Sequence, residues 1–385
     1  MAEFDVIIYG ASGYTGRLVA QHFHNTYPDR SFAMAGRSLN KLADVRAEIG
    51  LPDSVALIAA DAADPASLQT MVARTKVVIT TVGPYQLYGE PLVAACATSG
   101  TDYVDLSGEP NFMWQMIETY DDVAKASGAR IVHSCGFDSI PFEMGVFFLQ
   151  SQAQARFGAP IRDVKARVRS LVGSFSGGTL ASGQATMKAA MGDPITAQRL
   201  QSPFALTPGF EGAAQPTGHK PYEDTDMGSW VAPFFMATIN TKNVHRSNFL
   251  MGHPYGTDFT YEEMIATGPG DKGQATATAL SQSNPLQGSD LKPGEGPTAK
   301  ERETGSYNVM FAGTAVDGTR FVAGVTGDRD AGYGSTSKMI TQAAMCLIDD
   351  VPDAPGGVLT PGPVMGMALI ERLRKTAGLT FEIEG

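Results

Sequence analysis

The sequence predicts an α/β protein: a Rossmann-type doubly wound parallel sheet, followed by a second α+β domain built on a largely antiparallel sheet. Three observations carry that expectation. Residues 1 to about 135 alternate short apolar strands with helices, joined by short turns. The strand segments, such as Lys76-Val-Val-Ile-Thr-Thr-Val82, are near-continuous apolar runs that suit strands buried on both faces of a parallel sheet. Beyond residue 160 the pattern changes to half-exposed alternation, with Asp317-Gly318 as a two-residue hairpin signal between apolar runs.

Taken in order, the first strand (5–9) runs into Gly10-Ala-Ser-Gly-Tyr-Thr-Gly16 and then an amphipathic helix. Gly10 permits a tight turn, Gly13 lets backbone approach a pyrophosphate, and Gly16 lets the helix pack close to the sheet. Phosphates would meet free N–H groups and the positive helix end at residues 13 to 16. The second strand ends in Ala35-Gly-Arg-Ser38, where an NAD site places a carboxylate. Arg37 can clamp a 2′-phosphate, with Ser38 and Lys41 beside it, so NADP(H) is the expected cofactor. Ser38 can equally serve as the N-cap of the next helix, leaving Arg37 a solvated charge. Further strands are expected at 55–59, 77–82, 103–105 and 130–134. The second domain then opens with a helix from Phe142 and a strand over 163–172.

Three domains are expected: residues 1–140, 141–330 and a helical return over 331–385. Residues 266–300 are rich in Gly, Pro, Ser, Thr and Gln and lack apolar periodicity, which reads as a linker or mobile lid. The net charge of −11, without a Lys/Arg block, argues against nucleic acid as a partner. No apolar run has the roughly 18 residues of a membrane-spanning helix, and a core strand starts at once, so a cytoplasmic location is expected. Cys96, Cys135 and Cys346 form no metal-ligand or redox pair.

Ligands of an open α/β sheet bind beyond the carboxyl ends of its strands, and three segments emerge there. Tyr85 and Tyr88 follow a Gly-Pro turn and can project hydroxyls as proton donors, or pack in the interdomain seam. Glu109 and Asp138 can be acids with raised pKa in a dry cleft, or helix caps. Cys135, with His219, His245 or His253 as base, would suit an acyl-phosphate or semialdehyde reductase, but a small buried thiol fits the same position. None of the twelve tyrosines has a lysine four residues on, which largely excludes short-chain dehydrogenase chemistry.

These motifs, with Thr81-Val-Gly-Pro-Tyr-Gln-Leu-Tyr-Gly-Glu90, Thr101-Asp-Tyr-Val-Asp-Leu-Ser-Gly-Glu109 and Cys135-Gly-Phe-Asp-Ser-Ile-Pro141, resemble the saccharopine dehydrogenase-like oxidoreductases. The nearest likeness is to the trans-acting enoyl reductases of bacterial lipid synthesis. It extends to Ser176-Gly-Gly-Thr179, Arg246-Ser247, Tyr255-Gly256 and Gly332-Tyr333. The resemblance implies that Gly10, Ser12, Gly13, Tyr14, Thr15, Gly16, Arg37, Ser38 and the loop Thr80, Thr81, Val82, Gly83 hold NADP(H). It also implies that Ser176, Gly177, Gly178 and Thr179 receive a substrate carbonyl or carboxylate and that Arg246 pairs an anionic group; a tight turn with Thr179 as N-cap, and a surface or interdomain salt bridge for Arg246, fit the same residues. Dimerisation through the antiparallel sheet follows only from fold analogy. The expected activity is NADPH-dependent reduction of a polarised double bond in a small-molecule or acyl substrate. An imine or 2-oxo-acid reductase, whose cleft would need cations, and a non-catalytic NADPH-binding protein are the alternatives.

Overall fold

A computed structural model describes residues 2–173, 177–283 and 295–384. Six strands, β1 (Phe4–Tyr9), β2 (Phe32–Gly36), β3 (Ala56–Ala59), β4 (Thr75–Thr80), β5 (Asp102–Val104) and β6 (Arg130–Val132), alternate with helices. The helices are α1 (Tyr14–Thr26), α2 (Leu39–Glu48), α3 (Pro65–Val72), α4 (Tyr85–Tyr88), α5 (Glu90–Ser99) and α6 (Pro110–Ser127). All strand pairings are parallel, in the order β6-β5-β4-β1-β2-β3. Chain direction across the sheet therefore reverses between β1 and β4, which creates a crevice at their carboxyl ends. Val6, Ile7, Ile8, Val77, Val78 and Ile79 are fully buried, as expected of strands covered on both faces. Helix starts are marked where the sequence supplies a cap: Asp64 accepts the N–H groups of Ala66 and Ser67 at 3.1 and 3.3 Å, and Pro65 opens α3.

Helix α7 (Ile140–Phe157) leads to β7 (Asp163–Val172), followed by α8 (Gly177–Gly192) and α9 (Pro194–Gln201). Next come β8 (Tyr222–Asp224), β9 (Ser229–Pro233), α10 (Ala237–Leu250), β10 (Thr260–Gly268), α11 (Gly270–Gln282) and α12 (Ala299–Thr304). The hairpin β11 (Ser306–Thr314) and β12 (Arg320–Gly327) turns at Asp317-Gly318. The chain closes with α13 (Thr336–Asp349), β13 (Gly357–Leu359), α14 (Pro361–Arg372) and β14 (Leu379–Ile383). The second sheet runs β14-β12-β11-β7-β10-β9-β8, antiparallel except where β7 and β10 pair. β13 adds a seventh parallel strand beside β6, and α13 packs on α1 and β4. One continuous apolar core runs through both sheets.

The described residues of 266–300 are not a linker. β10 extends to Gly268, α11 packs on β9 and β10, and α12 precedes the hairpin; residues 284–294 lie outside the described ones. α11 buries only Gly273 and Ala277, one helical turn apart, so its inward face is made of small residues and carries no apolar period. Among the described residues no helix is long and apolar enough to cross a membrane.

Candidate cofactor turn and substrate cleft

At the end of β1, Gly10 turns the chain with φ +88°. A Cβ there would sit 2.7 Å from Val82 Cγ2 and 2.9 Å from Thr81 Oγ1. A Cβ on Gly16 would strike the Gly10 carbonyl and lie 2.8 Å from Ala11 Cα. The glycine-rich turn, α1 and the loop of Thr80, Thr81, Val82 and Gly83 therefore meet at backbone distance, at the switch point of the sheet. Gly13 is the N-cap of α1 and supplies no side-chain bond, so the N–H groups of Tyr14, Thr15 and Gly16 are left without a side-chain cap at the positive helix end. Ser12 Oγ lies against Gly36, 3.8 Å from where a Cβ would stand.

Arg37 is exposed at the end of β2 and has no ion-pair partner among the described residues. Ser38 Oγ accepts the Lys41 N–H at 3.3 Å and caps α2, so its N-cap role is realised; Lys41 itself is exposed. The buried Tyr9 hydroxyl lies within the fields of Arg37 and Asp61, and burial pushes its pKa up to about 12. An uncapped helix end beside close-packed glycines, with an unpaired guanidinium where a carboxylate would repel phosphate, fits a dinucleotide carrying a 2′-phosphate.

Beside this turn lies a cleft. Leu106 and Ser134, Gly136, Phe137 and Asp138 come from the carboxyl ends of β5 and β6; Leu171 and Gly173 come from β7. Thr179 of α8, Phe235, and Ala331, Gly332, Tyr333 and Thr336 complete the lining. Tyr333 joins the two regions: its ring meets the Tyr14 ring edge-on at 5.1 Å, and its hydroxyl lies 3.0 Å from Thr179 Oγ1. Asp138 is the one charged side chain among the described lining residues, and burial raises its carboxyl pKa to about 6. It does not cap α7, whose N-cap is Ser139. A buried polar seam fixes that position. Asn243 donates to Ser139 Oγ at 2.8 Å, Ser139 donates to Asn240 Oδ1 at 3.0 Å, and Asn240 donates to Glu263 at 2.8 Å. The floor is held by Asp105, which accepts N–H groups from Ser107 and Ser134 at 2.9 Å and the Tyr103 hydroxyl, and pairs with His133 at 2.7 Å.

Several expected site residues stand elsewhere. The buried Tyr85 hydroxyl donates to the Thr80 carbonyl at 3.2 Å and accepts the Leu106 N–H at 3.1 Å, and burial near Asp105 raises its pKa well above the ordinary phenol value. Tyr88 is exposed on α4. Glu109 does not cap α6 with its side chain; its two oxygens accept the N–H groups of Tyr85 and Gln86, both at 2.9 Å, and so anchor α4. Arg246 corrects both of its expected roles. It is buried and donates to the carbonyls of Leu206 at 2.6 Å and Val358 at 2.5 Å, making it a clamp between backbone segments. Thr179 lies inside the first turn of α8, with Gly177 and Gly178 ahead of it; Ser176 is outside the described residues. Cys135 is fully buried with its thiol against the Val132 and His133 carbonyls, and among the described residues none of His219, His245 and His253 bonds to it; burial pushes its pKa well up, which disfavours the thiolate. Thr336 and Phe235 lie in the cleft without any local sequence pattern that marks them, whereas Ser134 belongs to the 133–139 segment expected at the crevice. Tyr333 had a signal, in the Gly332-Tyr333 pair.

Residues 6–132 match the family described as Saccharopine dehydrogenase NADP binding domain. A Mycobacterium tuberculosis relative classed among trans-acting enoyl reductases is 39% identical over 99% of this chain and 97% of its own length. The trans-acting enoyl reductase of Mycobacterium ulcerans is 35% identical, covering 97% and 96% respectively. The apo saccharopine dehydrogenase (L-Glu forming) of Saccharomyces cerevisiae shares the fold, with a TM-score of 0.56 at 13% identity over 99% of this chain and 100% of that one.

Proposed function

Because this chain belongs to the saccharopine dehydrogenase-like oxidoreductases, in their trans-acting enoyl reductase branch, we propose that it reduces the polarised carbon–carbon double bond of an α,β-unsaturated acyl compound. It is an NADP-dependent oxidoreductase. When bound, NADPH would supply the hydride. Gly10, Gly13 and Gly16 would leave the backbone open to the pyrophosphate, and Arg37 would meet the 2′-phosphate.

The observation that carries the substrate class is the cleft lining. Among the described residues it holds apolar side chains, the hydroxyls of Ser134, Thr179, Tyr333 and Thr336, the Asp138 carboxyl, and no lysine or arginine. A 2-oxo-acid or imine substrate brings carboxylates that need cations, and Arg246, the cation expected to serve them, is turned into the protein interior. An acyl thioester needs apolar walls and a polar group for its carbonyl. Tyr333 and Thr179 supply the hydroxyls that meet charge developing on that carbonyl oxygen. Asp138, with a carboxyl pKa of about 6, can hold a proton close to neutrality and pass it to the substrate carbon that does not receive hydride. Ser139, Asn240 and Glu263 position it from behind.

The test is NADPH oxidation, followed by absorbance, against a 2-enoyl thioester, a 2-oxo acid with amine, a cyclic imine and a ketone. Turnover of the enoyl thioester alone is expected. Turnover of the 2-oxo acid or imine with none of the enoyl thioester overturns the reading. NADPH binding with no oxidation by any of the four would leave a nucleotide-binding protein without this activity.

A further inference from the structure

We propose that Arg302, delivered by the second domain, is the cationic partner of the cofactor's pyrophosphate; the inference rests on the NADP(H) reading above. No feature of the sequence around residue 302 marks it, but the fold carries it to the glycine-rich turn. Arg302 lies on α12, a short helix started by a reciprocal cap in which the Thr298 side chain accepts the Glu301 N–H and Glu301 accepts the Thr298 N–H. Its Nη1 donates to Tyr14 Oη and to the Pro297 carbonyl, both at 2.7 Å, and Tyr14 Oη donates to the same carbonyl. The guanidinium carbon stands 5.7 Å from the centre of the Tyr14 ring. Tyr14 is the first residue of α1, so this arginine is tethered to the residue whose own N–H belongs to the anion-binding turn.

Two facts separate Arg302 from an ordinary surface cation. Among the described residues, Nε and Nη2 of its guanidinium have no hydrogen-bond partner, and no carboxylate lies within ion-pair distance of it. Arg17, the other arginine of this end of α1, is by contrast paired to Glu48 at 2.8 Å. The tether is also anchored. The Asp330 N–H donates to the Arg302 carbonyl at 3.0 Å, and the Asp330 carboxylate accepts the N–H groups of Tyr333 and Gly334 at 3.0 and 2.7 Å. Arg302 thus reaches the phosphate turn from the same backbone cluster that places Tyr333 in the cleft. A planar fork with two open nitrogens matches phosphate oxygens, and such charge-assisted bonds are stronger than neutral ones.

The pyrophosphate is common to NADPH and NADH and absent from adenosine 2′-monophosphate, which makes the assignment separable from that of Arg37. Calorimetric titration of the full chain with all three ligands is the test. Arg302→Gln is expected to weaken NADPH and NADH alike, by roughly tenfold or more, with adenosine 2′-monophosphate unchanged. Arg302→Lys, which keeps charge but not the fork, is expected to fall between native and Arg302→Gln. NADPH and NADH affinities within about twofold of native in Arg302→Gln, or an equal loss for adenosine 2′-monophosphate, would overturn the assignment while leaving the cofactor reading intact. Failure of the native chain to bind any of the three removes the cofactor reading, and Arg302 with it.

Discussion

The phosphate turn and the substrate cleft touch through Tyr14 and Tyr333, yet they are assembled differently. The turn is made of main chain. Its recognition groups are N–H bonds at the start of one helix, and its side chains matter mostly by their absence at Gly10 and Gly16. The cleft is made of side chains and backbone from β5, β6, β7, α8 and α13, with contributors running from Leu106 to Thr336. A site built from contiguous backbone fails all at once when a single Cβ intrudes. A site assembled from separate elements should lose one function at a time, because each group is held by its own partners.

The most severe expected effect tests the first half of that contrast. Gly16→Val places a side chain against the Gly10 carbonyl and Ala11, and neither is a flexible group that can move aside. NADPH binding, followed by calorimetry, should fall by about a hundredfold or more. Binding kept within about tenfold would mean that the close approach is not where the cofactor sits. The second half is tested by Asp138→Asn, which should lower kcat by about a hundredfold while the NADPH Kd stays within about twofold. The sign of the pH dependence follows from its raised pKa. The proton-bearing form dominates below about pH 6, so the native rate should fall as pH rises through about 6. Asp138→Asn should flatten that limb. A loss shared equally between binding and turnover would dissolve the distinction between the two regions. A smaller effect sharpens the cofactor end: Arg37→Asp should weaken NADPH roughly tenfold relative to NADH, since only the former carries the 2′-phosphate. Equal weakening of both would remove Arg37 from that role.

The same contrast explains what was legible. Gly10, Gly13, Gly16 and Arg37 are readable from spacing because backbone recognition ties function to positions a few residues apart. Both sheets were readable too, since burial on both faces, or on one, writes itself into apolar runs or alternation. α11 was not, because its buried face is Gly273 and Ala277, which carry no hydrophobic signal. Arg246 shows a deeper limit. An arginine in a motif says that a cation is needed, but whether it faces a substrate or two backbone carbonyls is decided by Leu206 and Val358, about 40 and 112 residues away. The sequence places Tyr85 and Glu109 at the crevice but does not show that the backbone of α4 and Leu106 takes up their hydrogen-bonding groups.

Tyr85 therefore offers the finest test of how the cleft divides its labour. If its hydroxyl were the proton donor, Tyr85→Phe would abolish turnover and change the pH profile. In this structure the hydroxyl is buried, bonded on one side to the Thr80 carbonyl and on the other to the Leu106 N–H, and of these residues it is Leu106 that lines the cleft. Removing it leaves a buried N–H without an acceptor, which costs about 1 kcal/mol or somewhat more. Tyr85→Phe should therefore lower the unfolding temperature by a few degrees. It should hold kcat within about threefold and leave the midpoint near pH 6 in place. A shifted midpoint with unchanged stability would instead assign the acid to Tyr85, and Asp138 would become a group that tunes it through the wall of the cleft.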